Sequence, residues 1–307
     1  TAVPTTPEVR LCRPGEQPPA GALTGQIVVL DLAFSGKNPR RDLAWANSLG
    51  SRLIAWVDHP DQELWSELEN DPRFRLTPRE QAPACPPLVT PELVAERGPA
   101  STIVCHGDLD GVLSAAKWWI LQDGGTVPKW LDPDSIVADS RRGTFTARGE
   151  FFDHALRGGN DAVRRIIVRA VYAEAMGQEL RPNDQAKLER AVDSHHSAVQ
   201  NSLEQLERTV DLNDIPESAV YLDLHPCGGA IDLTEILLAL QRDYDWVVLR
   251  ARAKGHVTKW VVGTNPERSG LDLRKEFKLQ GFAPFRVHVE LDVLLERLPT
   301  KLLPQNA

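Results

Sequence analysis

The stretch Ser101–Gln122, STIVCHGDLDGVLSAAKWWILQ, decides the fold. Its first part is an apolar run that is too short for a helix and apolar on both faces, which is typical of a buried parallel strand. His106, Asp108 and Asp110 follow at spacings of two, so their side chains share one face of an extended strand end. Gly111 permits a sharp exit, and the residues after it have helical spacing. The N-terminus of that helix would favour an anion at the site.

Three other short apolar runs end in the same way, on an acid or a histidine. They are GQIVVLDL with Asp31, RLIAWVDHP with Asp58 and His59, and SIVADSRRG with Asp139. In an open α/β sheet the crevice lies beyond the carboxyl ends of the strands, so side chains at these positions meet there. A single aspartate at a strand end is often only a helix cap or a turn residue. Four such ends together favour a metal centre.

The combination resembles the DHH phosphoesterases, a family that includes RecJ-like exonucleases, oligoribonucleases, cyclic-dinucleotide phosphodiesterases and family II pyrophosphatases. Residues 106–111, His-x-Asp-x-Asp-Gly, resemble the first motif of that family. Residues 27–31 resemble the second motif, 56–59 the name-giving third and 136–140 the fourth. The second and third motifs precede the first here, as in a circular permutation, and strand ends rather than chain order set the site geometry. Pro60 stands where the family has a second histidine, which touches the substrate phosphate.

The resemblance implies two metal ions held by overlapping ligand sets. The first set consists of His106, Asp108 and Asp31. The second set consists of Asp110, His59, Asp139 and the shared Asp31. Mixed carboxylate and imidazole ligands suit two Mn²⁺ ions best, with Mg²⁺, Co²⁺ or Zn²⁺ as alternatives. The ions would activate a water for attack on phosphorus. Asp108, Asp31 and His59 would be the catalytic residues, and Asp58 would orient His59 from behind.

Composition agrees with a reduced intracellular enzyme. The 307 residues suffice for two domains, each with its own core. The net charge is −8, from 35 basic and 43 acidic residues, so a broad surface that coats nucleic acid is not expected. The four cysteines are widely spaced, which argues against a disulfide or zinc framework. No signal peptide or long apolar stretch is evident, so we expect a cytoplasmic protein without membrane contact.

We expect four segments along the chain. Residues 1–24 are rich in Pro, Thr and Gly and predict an extended N-terminal arm. Residues 25–180 predict the DHH-like α/β catalytic domain with its parallel sheet, in which the proline-rich residues 73–99 form a long loop. Residues 181–212 predict a connecting helix. Residues 213–307 predict a smaller α/β domain that resembles the DHHA1 substrate-binding domain.

The connecting helix contains Asp193-Ser194-His195-His196, which superficially looks like the name-giving motif. We reject it as the site because His195 falls on the apolar stripe of the helix and His196 on the polar side. These positions predict one packed and one solvated histidine. His154, in another helical stretch, has the same interpretation.

The C-terminal domain carries most of the expected substrate contacts. Its sequence predicts a helix that opens with the capping box Asp232–Glu235 and a hairpin around Lys254–Gly255. Eight basic and three acidic residues lie within 250–278, which favours a polyanion, although a solvated charged face explains the pattern equally well. Residues 268–269 resemble the arginine-serine segment of DHHA1 domains. The candidate substrate-binding residues are Arg268, Ser269, Lys254, Lys259 and Arg141.

These features predict a metal-dependent phosphodiesterase of the nuclease type that acts on oligonucleotides, single-stranded nucleic acid or cyclic dinucleotides. A phosphoanhydride hydrolase acting on pyrophosphate or polyphosphate is an alternative. A catalytically decayed scaffold subunit is another, favoured by Pro60 and by a reduced glycine-rich loop at residues 280–284. The expected ligand is a phosphate-containing small molecule or a short nucleic acid. A homo-oligomer and a subunit of a larger assembly both agree with the sequence.

Overall fold

The computed structural model describes residues 6–36, 38–59, 62–212, 218–252, 258–280 and 282–297. The chain divides into two compact units, Thr1–His195 and His196–Ala307. Each unit contains a five-stranded sheet and several helices, which confirms the predicted α/β class. Among the described residues, no helix is both long enough and apolar enough to cross a membrane.

The sheet of the first unit is entirely parallel. Its strands are β1 (Glu8–Cys12), β2 (Ile27–Leu30), β3 (Leu53–Asp58), β4 (Phe74–Leu76) and β5 (Thr102–His106). Their spatial order is β1-β5-β2-β3-β4. Leu30 at the end of β2 lies opposite Cys105 of β5 and Val57 of β3. The carboxyl ends of these three neighbouring strands therefore meet at one edge of the sheet.

Helices cover both faces of this sheet, which explains why its strands are apolar throughout. They are α1 (Pro39–Leu49), α2 (Pro91–Arg97), α3 (Leu109–Gln122), α4 (Leu131–Ser140), α5 (Ala147–Gly158), α6 (Asp161–Ala175) and α7 (Pro182–Glu204). Ile27 and Val29 join one apolar layer, whereas Val28 and Leu30 join the other together with α3. Twelve of the 14 residues of α3 are buried. This helix is the centre of its layer, and its N-terminus is held at the sheet edge by the end of β5.

The residues SIVADS of this segment, 135–140, are helical, so the predicted strand that ends at Asp139 is wrong. Asp139 lies in the last turn of α4. The buried residues Leu131, Ser135 and Ala138 recur at spacings of three and four, which is the helical period. The apolar run from Ser135 alone was too short to distinguish a strand from a helix.

The predicted extended arm contains an edge strand. Residues 8–12 form β1 and pair in parallel with β5, Leu11 opposite Cys105. Val9 and Leu11 pack against the layer that contains α3, whereas Cys12 packs against the opposite layer. The strand is only five residues long and lies among prolines, so its alternation of exposed and buried side chains is hard to recognise in the sequence.

The predicted loop at residues 73–99 contains β4 and α2. Helix α2 starts with Thr90, whose side chain caps the N–H of Leu93, and with Pro91 at the first helical position. Gly98 ends it with a positive φ of 80°. These start and stop signals for a helix are present in the sequence. The many prolines around them nevertheless favoured the prediction of a loop.

The second unit has a mixed sheet. Its strands are β6 (Val210–Leu212), β7 (Ala219–Asp223), β8 (Trp246–Arg252), β9 (Thr258–Gly263) and β10 (Arg286–Val289), in the order β10-β9-β8-β7-β6. Only β7 and β8 pair in parallel. Its helices are α8 (Leu233–Leu240), α9 (Pro266–Ser269), α10 (Leu273–Phe277) and α11 (Leu291–Arg297). The hairpin of β8 and β9 and the Asp232 cap of α8 confirm two sequence predictions.

Candidate metal centre

Five predicted ligands converge at the carboxyl edge of the parallel sheet. They form two groups of three, in each of which the potential ligand atoms lie within 4.8 Å of one another. The first group is Asp31, His106 and Asp108. The second group is Asp31, His59 and Asp110. Strands β2, β3 and β5 supply Asp31, His59 and His106, and the first turn of α3 supplies the remaining carboxylates.

Asp31 belongs to both groups and directs one carboxylate oxygen toward each. Its Oδ1 lies 3.3 Å from Nε2 of His59, and its Oδ2 lies 3.9 Å from Nδ1 of His106. The backbone of Asp31 is left-handed, with φ of 53°, a conformation that is uncommon for a residue with a side chain and is concentrated at functional sites. This turn at the end of β2 aims the carboxylate between the two groups, where a bridging ligand belongs.

His59 is oriented by a backbone carbonyl. Its Nδ1 lies 3.0 Å from the carbonyl oxygen of Ala82. Because a carbonyl can only accept, Nδ1 carries a proton, and Nε2 is the ring nitrogen that faces the group and could bind a metal ion when the ring is neutral. Nε2 lies 3.4 Å from Oδ2 of Asp110. Asp58 directly precedes His59 in the chain and is fully buried, and its role in orienting the ring stays a prediction.

Asp108 is both a helix cap and a potential metal ligand. It is the N-cap of α3, with Oδ1 accepting from the N–H of Gly111 at 3.3 Å. Its Oδ2 lies 2.6 Å from Nδ1 of His106. The side chains of His106 and Asp108 are 34% and 43% exposed, whereas those of the second group are at most 6% exposed. The centre therefore opens to solvent on the side of His106 and Asp108.

Gly111 allows α3 to approach the cluster. A methyl group at this position would lie 2.6 Å from the carbonyl oxygen of His106 and 3.0 Å from Oδ2 of Asp31. Both distances are shorter than a normal contact, so any side chain would push the helix away from the strand ends. The glycine of the first motif is thus required by packing at the ligands themselves.

The cluster holds more buried negative charge than its own residues neutralise. Burial, and then the charges of Asp110 and Asp108, raise the pKa of Asp31 well above its ordinary value. Burial also raises the pKa of Asp58 to about 7, although the positive charge and the backbone N–H of His59 oppose the rise. Burial opposes the protonation of His106, but the carboxylate of Asp108 outweighs it and raises the pKa to about 9. Carboxylates that repel one another and imidazoles that attract protons form a site whose negative charge divalent cations would neutralise.

The donor set fits divalent metal ions. Each group offers two carboxylates and one imidazole, a mixture that suits Mn²⁺ and related ions. This cluster could therefore hold divalent cations, and Asp31 is common to both groups of potential ligands.

Asp139 lies near the second group but belongs to neither. It forms an ion pair with Arg79, whose side chain is 17% exposed. Burial and the charge of Asp110 raise the pKa of Asp139 to about 6, and Arg79 opposes the rise. Sequence analysis did not identify Arg79, which lies in the segment that was predicted to be a loop. No motif marks it, and its proximity to α4 depends on tertiary structure alone.

The stretch from Thr77 to Cys85, which carries Arg79, forms one wall of the centre. The N–H of Thr77 donates to the carbonyl of Asp58, and the carbonyl of Ala82 accepts from His59. The N–H of Cys85 reaches Oδ2 of Asp110 at 3.5 Å. Three separate contacts therefore tie this wall to the ligands or their immediate neighbours.

The predicted substrate-binding residues lie outside the two ligand groups. Arg141 donates to the buried carboxylate of Asp153 at 2.9 Å. In the second unit, Arg268 donates to Asp245 and to a backbone carbonyl. The hydroxyl of Ser269, at the end of α9, forms hydrogen bonds with the hydroxyl of Thr264 and the backbone carbonyl of Asn265. Lys259 lies on β9 and is partly buried, whereas Lys254 and Pro60 lie outside the described residues.

The rejected histidines lie on helices, as predicted. His195 is buried in α7 and His196 is exposed. The ring of His154 lies 4.6 Å from that of His195, centroid to centroid, which is a packing contact. None of the three belongs to a ligand group among the described residues.

Comparison with known proteins gives little information about the function of this site. No family model matches the chain, and no curated protein matches it significantly. One similar solved structure is the pGpG-specific phosphodiesterase PggH from Vibrio cholerae, at 12% identity and a TM-score of 0.40. The match covers 89% of this chain and 96% of that one. Any inference about function must therefore start from the cluster of ligands.

Proposed function

We propose that the chain is a metal-dependent phosphoesterase that hydrolyses phosphodiester bonds of oligonucleotides, single-stranded nucleic acid or cyclic dinucleotides. One observation carries the proposal: two three-residue ligand groups share Asp31 at the carboxyl edge of a parallel sheet. Two adjacent divalent ions are the usual means of activating water and stabilising charge in phosphoryl chemistry. The motif resemblance, with its permuted order, points to the same reaction class.

The residues of the chain would position these ions, for which we propose Mn²⁺. Asp31 is fixed by its left-handed backbone, and the protonated Nδ1 of His59 keeps Nε2 available. The N-terminus of the 14-residue helix α3 points at the same place and favours an anionic phosphate. Asp108, Asp31 and His59 are the residues that we propose to be catalytic.

The proposed reaction is a simple hydrolysis. The oxygen of water forms a bond to phosphorus, and one ester P–O bond breaks. The departing alkoxide leaves as an alcohol with a proton from that water, and the other product is a phosphomonoester. The solvent-accessible side at His106 and Asp108 is where the substrate phosphate would enter.

We also propose that the second unit contributes substrate contacts through Arg268, Ser269, Lys254 and Lys259. The guanidinium of Arg268 already donates to Asp245 and to the carbonyl of Arg242. A substrate phosphate would have to share or replace these bonds, which a five-donor guanidinium permits. Arg141 is a weaker candidate because its partner Asp153 is buried.

One observation favours a decayed scaffold as the second candidate. Asp139, a ligand that the motif resemblance implies, is paired with Arg79 and does not complete the second group. An internal cation at this place reduces the need for a second ion. Metal stoichiometry separates the two candidates, since a scaffold need not hold two ions.

The test of the proposal is a substrate panel with added Mn²⁺. The panel contains linear dinucleotides, 5′-phosphorylated single strands, cyclic dinucleotides and pyrophosphate, and the products are separated by ion-exchange chromatography. We expect phosphodiester cleavage in the wild-type protein and in the control variant His196→Ala, and none in Asp31→Asn. Cleavage of pyrophosphate alone would replace the proposal by the phosphoanhydride alternative. If the protein neither cleaves these substrates nor binds Mn²⁺, the result would favour the second candidate, a decayed scaffold.

A further inference from the structure

A second arginine borders the centre on its exposed side. A methyl group built on Gly107 would lie 3.7 Å from Cδ and 3.8 Å from Nε of Arg164, which comes from α6. Gly107 lies between His106 and Asp108 in the chain, and these are the two solvent-accessible ligands. Arg164 is therefore beside the entrance of the centre, and the missing side chain of Gly107 leaves room next to its guanidinium.

The guanidinium of Arg164 is only weakly engaged. Its ion pair with Asp161, 2.7 Å long, joins two residues of the same helix, and the carboxylate of Asp161 is 63% exposed. Such exposed pairs contribute little to stability. The Nε of Arg164 is buried without a hydrogen-bond partner among the described residues. A buried donor without an acceptor is uncommon and marks a position where an acceptor is expected.

Arg79 provides an instructive contrast. It also borders the cluster, but its partner Asp139 is only 15% exposed and its guanidinium is committed to that ion pair. The Nε atoms of both arginines are buried without a hydrogen-bond partner among the described residues, so this donor does not distinguish them. Arg164 differs in its partner, because Asp161 is 63% exposed and can be exchanged easily. Phosphate is the anion that matches these donors, because a guanidinium can bind two of its oxygens at once.

We propose that Arg164 binds a non-bridging phosphate oxygen of the substrate at the metal centre. The inference rests on the proposed phosphoesterase function. Arg164 exchanges Asp161 for the phosphate, supplies the Nε–H and one Nη–H, and holds the phosphorus on the open side of His106 and Asp108. No sequence pattern marks Arg164, because it follows an ordinary helix cap, Asn160, and belongs to no motif.

The experiment uses Arg164→Gln, with Arg165→Gln on the same helix as the matched control and Arg164→Lys as a conservative variant. Three quantities are measured: Mn²⁺ binding by calorimetry, binding of inorganic phosphate to the Mn²⁺-loaded protein, and kinetics on bis(4-nitrophenyl) phosphate. We expect Arg164→Gln to weaken phosphate binding and to lower kcat/KM by about 10- to 100-fold, the range for a charge-assisted hydrogen bond. Mn²⁺ binding should not change, Arg165→Gln should resemble the wild type, and Arg164→Lys should recover part of the loss.

The outcomes separate this inference from the proposed function. Unchanged phosphate affinity in Arg164→Gln overturns the role of Arg164, whatever the activity. A wild-type protein that binds Mn²⁺ and phosphate but cleaves no diester contradicts the proposed function, and the phosphate measurement still decides on Arg164. Loss of Mn²⁺ binding in Arg164→Gln would show that the residue supports the fold of the centre, and this also overturns the inference.

Discussion

Arg79 forms an ion pair with Asp139 beside the second ligand group. The guanidinium of Arg79 also interacts electrostatically with the carboxylates of Asp31 and Asp110. A metal ion in the second group would therefore have to share the negative field of these carboxylates with Arg79, which also engages a carboxylate that could serve as a ligand.

Replacing Arg79 by methionine should strengthen metal binding at the second group. Methionine keeps much of the volume of arginine but removes the positive charge and releases Asp139. We expect Mn²⁺ affinity to rise by about tenfold, the scale of effects produced by residues that support metal ligands, and calorimetric titration would measure it. Asp139→Asn should weaken binding or leave it unchanged, because it removes the carboxylate. Weaker binding in Arg79→Met would mean that the pair helps to build the site.

The apo protein should lose stability as the pH rises from about 4 to 7. Burial raises the pKa of Asp58 from 3.8 to about 7 in the folded state. Between these values the unfolded chain releases the proton and the folded chain retains it, so each pH unit lowers the free energy of unfolding by at most about 1.4 kcal/mol. Below this window both states are protonated, and above it both are ionised. Urea titrations in EDTA at several pH values would measure the slope.

Asp58→Asn is the matched variant for this experiment. It keeps the shape of the side chain and removes the titration, so the dependence of stability on pH should become shallower. An identical slope in the wild type and in Asp58→Asn would assign the titration to another group.

Gly111→Ala should damage the centre although it changes no ligand. The new methyl group would lie 2.6 Å from a backbone oxygen that cannot move aside easily, so the N-terminus of α3 must shift. We expect a destabilisation of about 1–3 kcal/mol, as for overpacking in a core, and a clear loss of Mn²⁺ affinity. Gly107→Ala is the control, because a methyl group there makes contacts of ordinary length. Equal metal affinity in both variants would contradict the packing argument.

Asp31→Asn should abolish binding of both ions and raise the melting temperature of the apo protein. Asparagine tolerates the left-handed backbone of residue 31, so the change removes charge without adding strain. It also relieves repulsion with Asp110 and Asp108. Differential scanning fluorimetry in EDTA, together with metal analysis by mass spectrometry, would measure both effects. A variant that still retained two ions would exclude Asp31 as the bridge.

The strand-end residues could be predicted because the information is local. A short run that is apolar on both faces defines a buried parallel strand, and the next side chain must emerge at its end, as for Asp31, His59 and His106. The identity of the neighbouring strands was not local. Which strands are neighbours depends on the order β5-β2-β3 in the folded sheet.

The errors have a common physical origin. The strand predicted to end at Asp139 is wrong because four apolar or small residues, 135–138, are compatible with either period, and only the buried residues upstream reveal the helix. Arg79 and Arg164 reach the centre through a loop and through a distant helix. No pattern along the chain encodes such contacts, since they arise only when separate elements pack together.

The wall formed by Thr77–Cys85 has a consequence for engineering. It contributes no ligand, yet it holds the histidine ring of the third motif, reaches one carboxylate of the first and supplies the cation that pairs with Asp139. A library that randomises this stretch would sample variants with different metal preference and turnover while every ligand stays in place. The residues that would orient the ligands and the ligands themselves thus lie in separate parts of the chain.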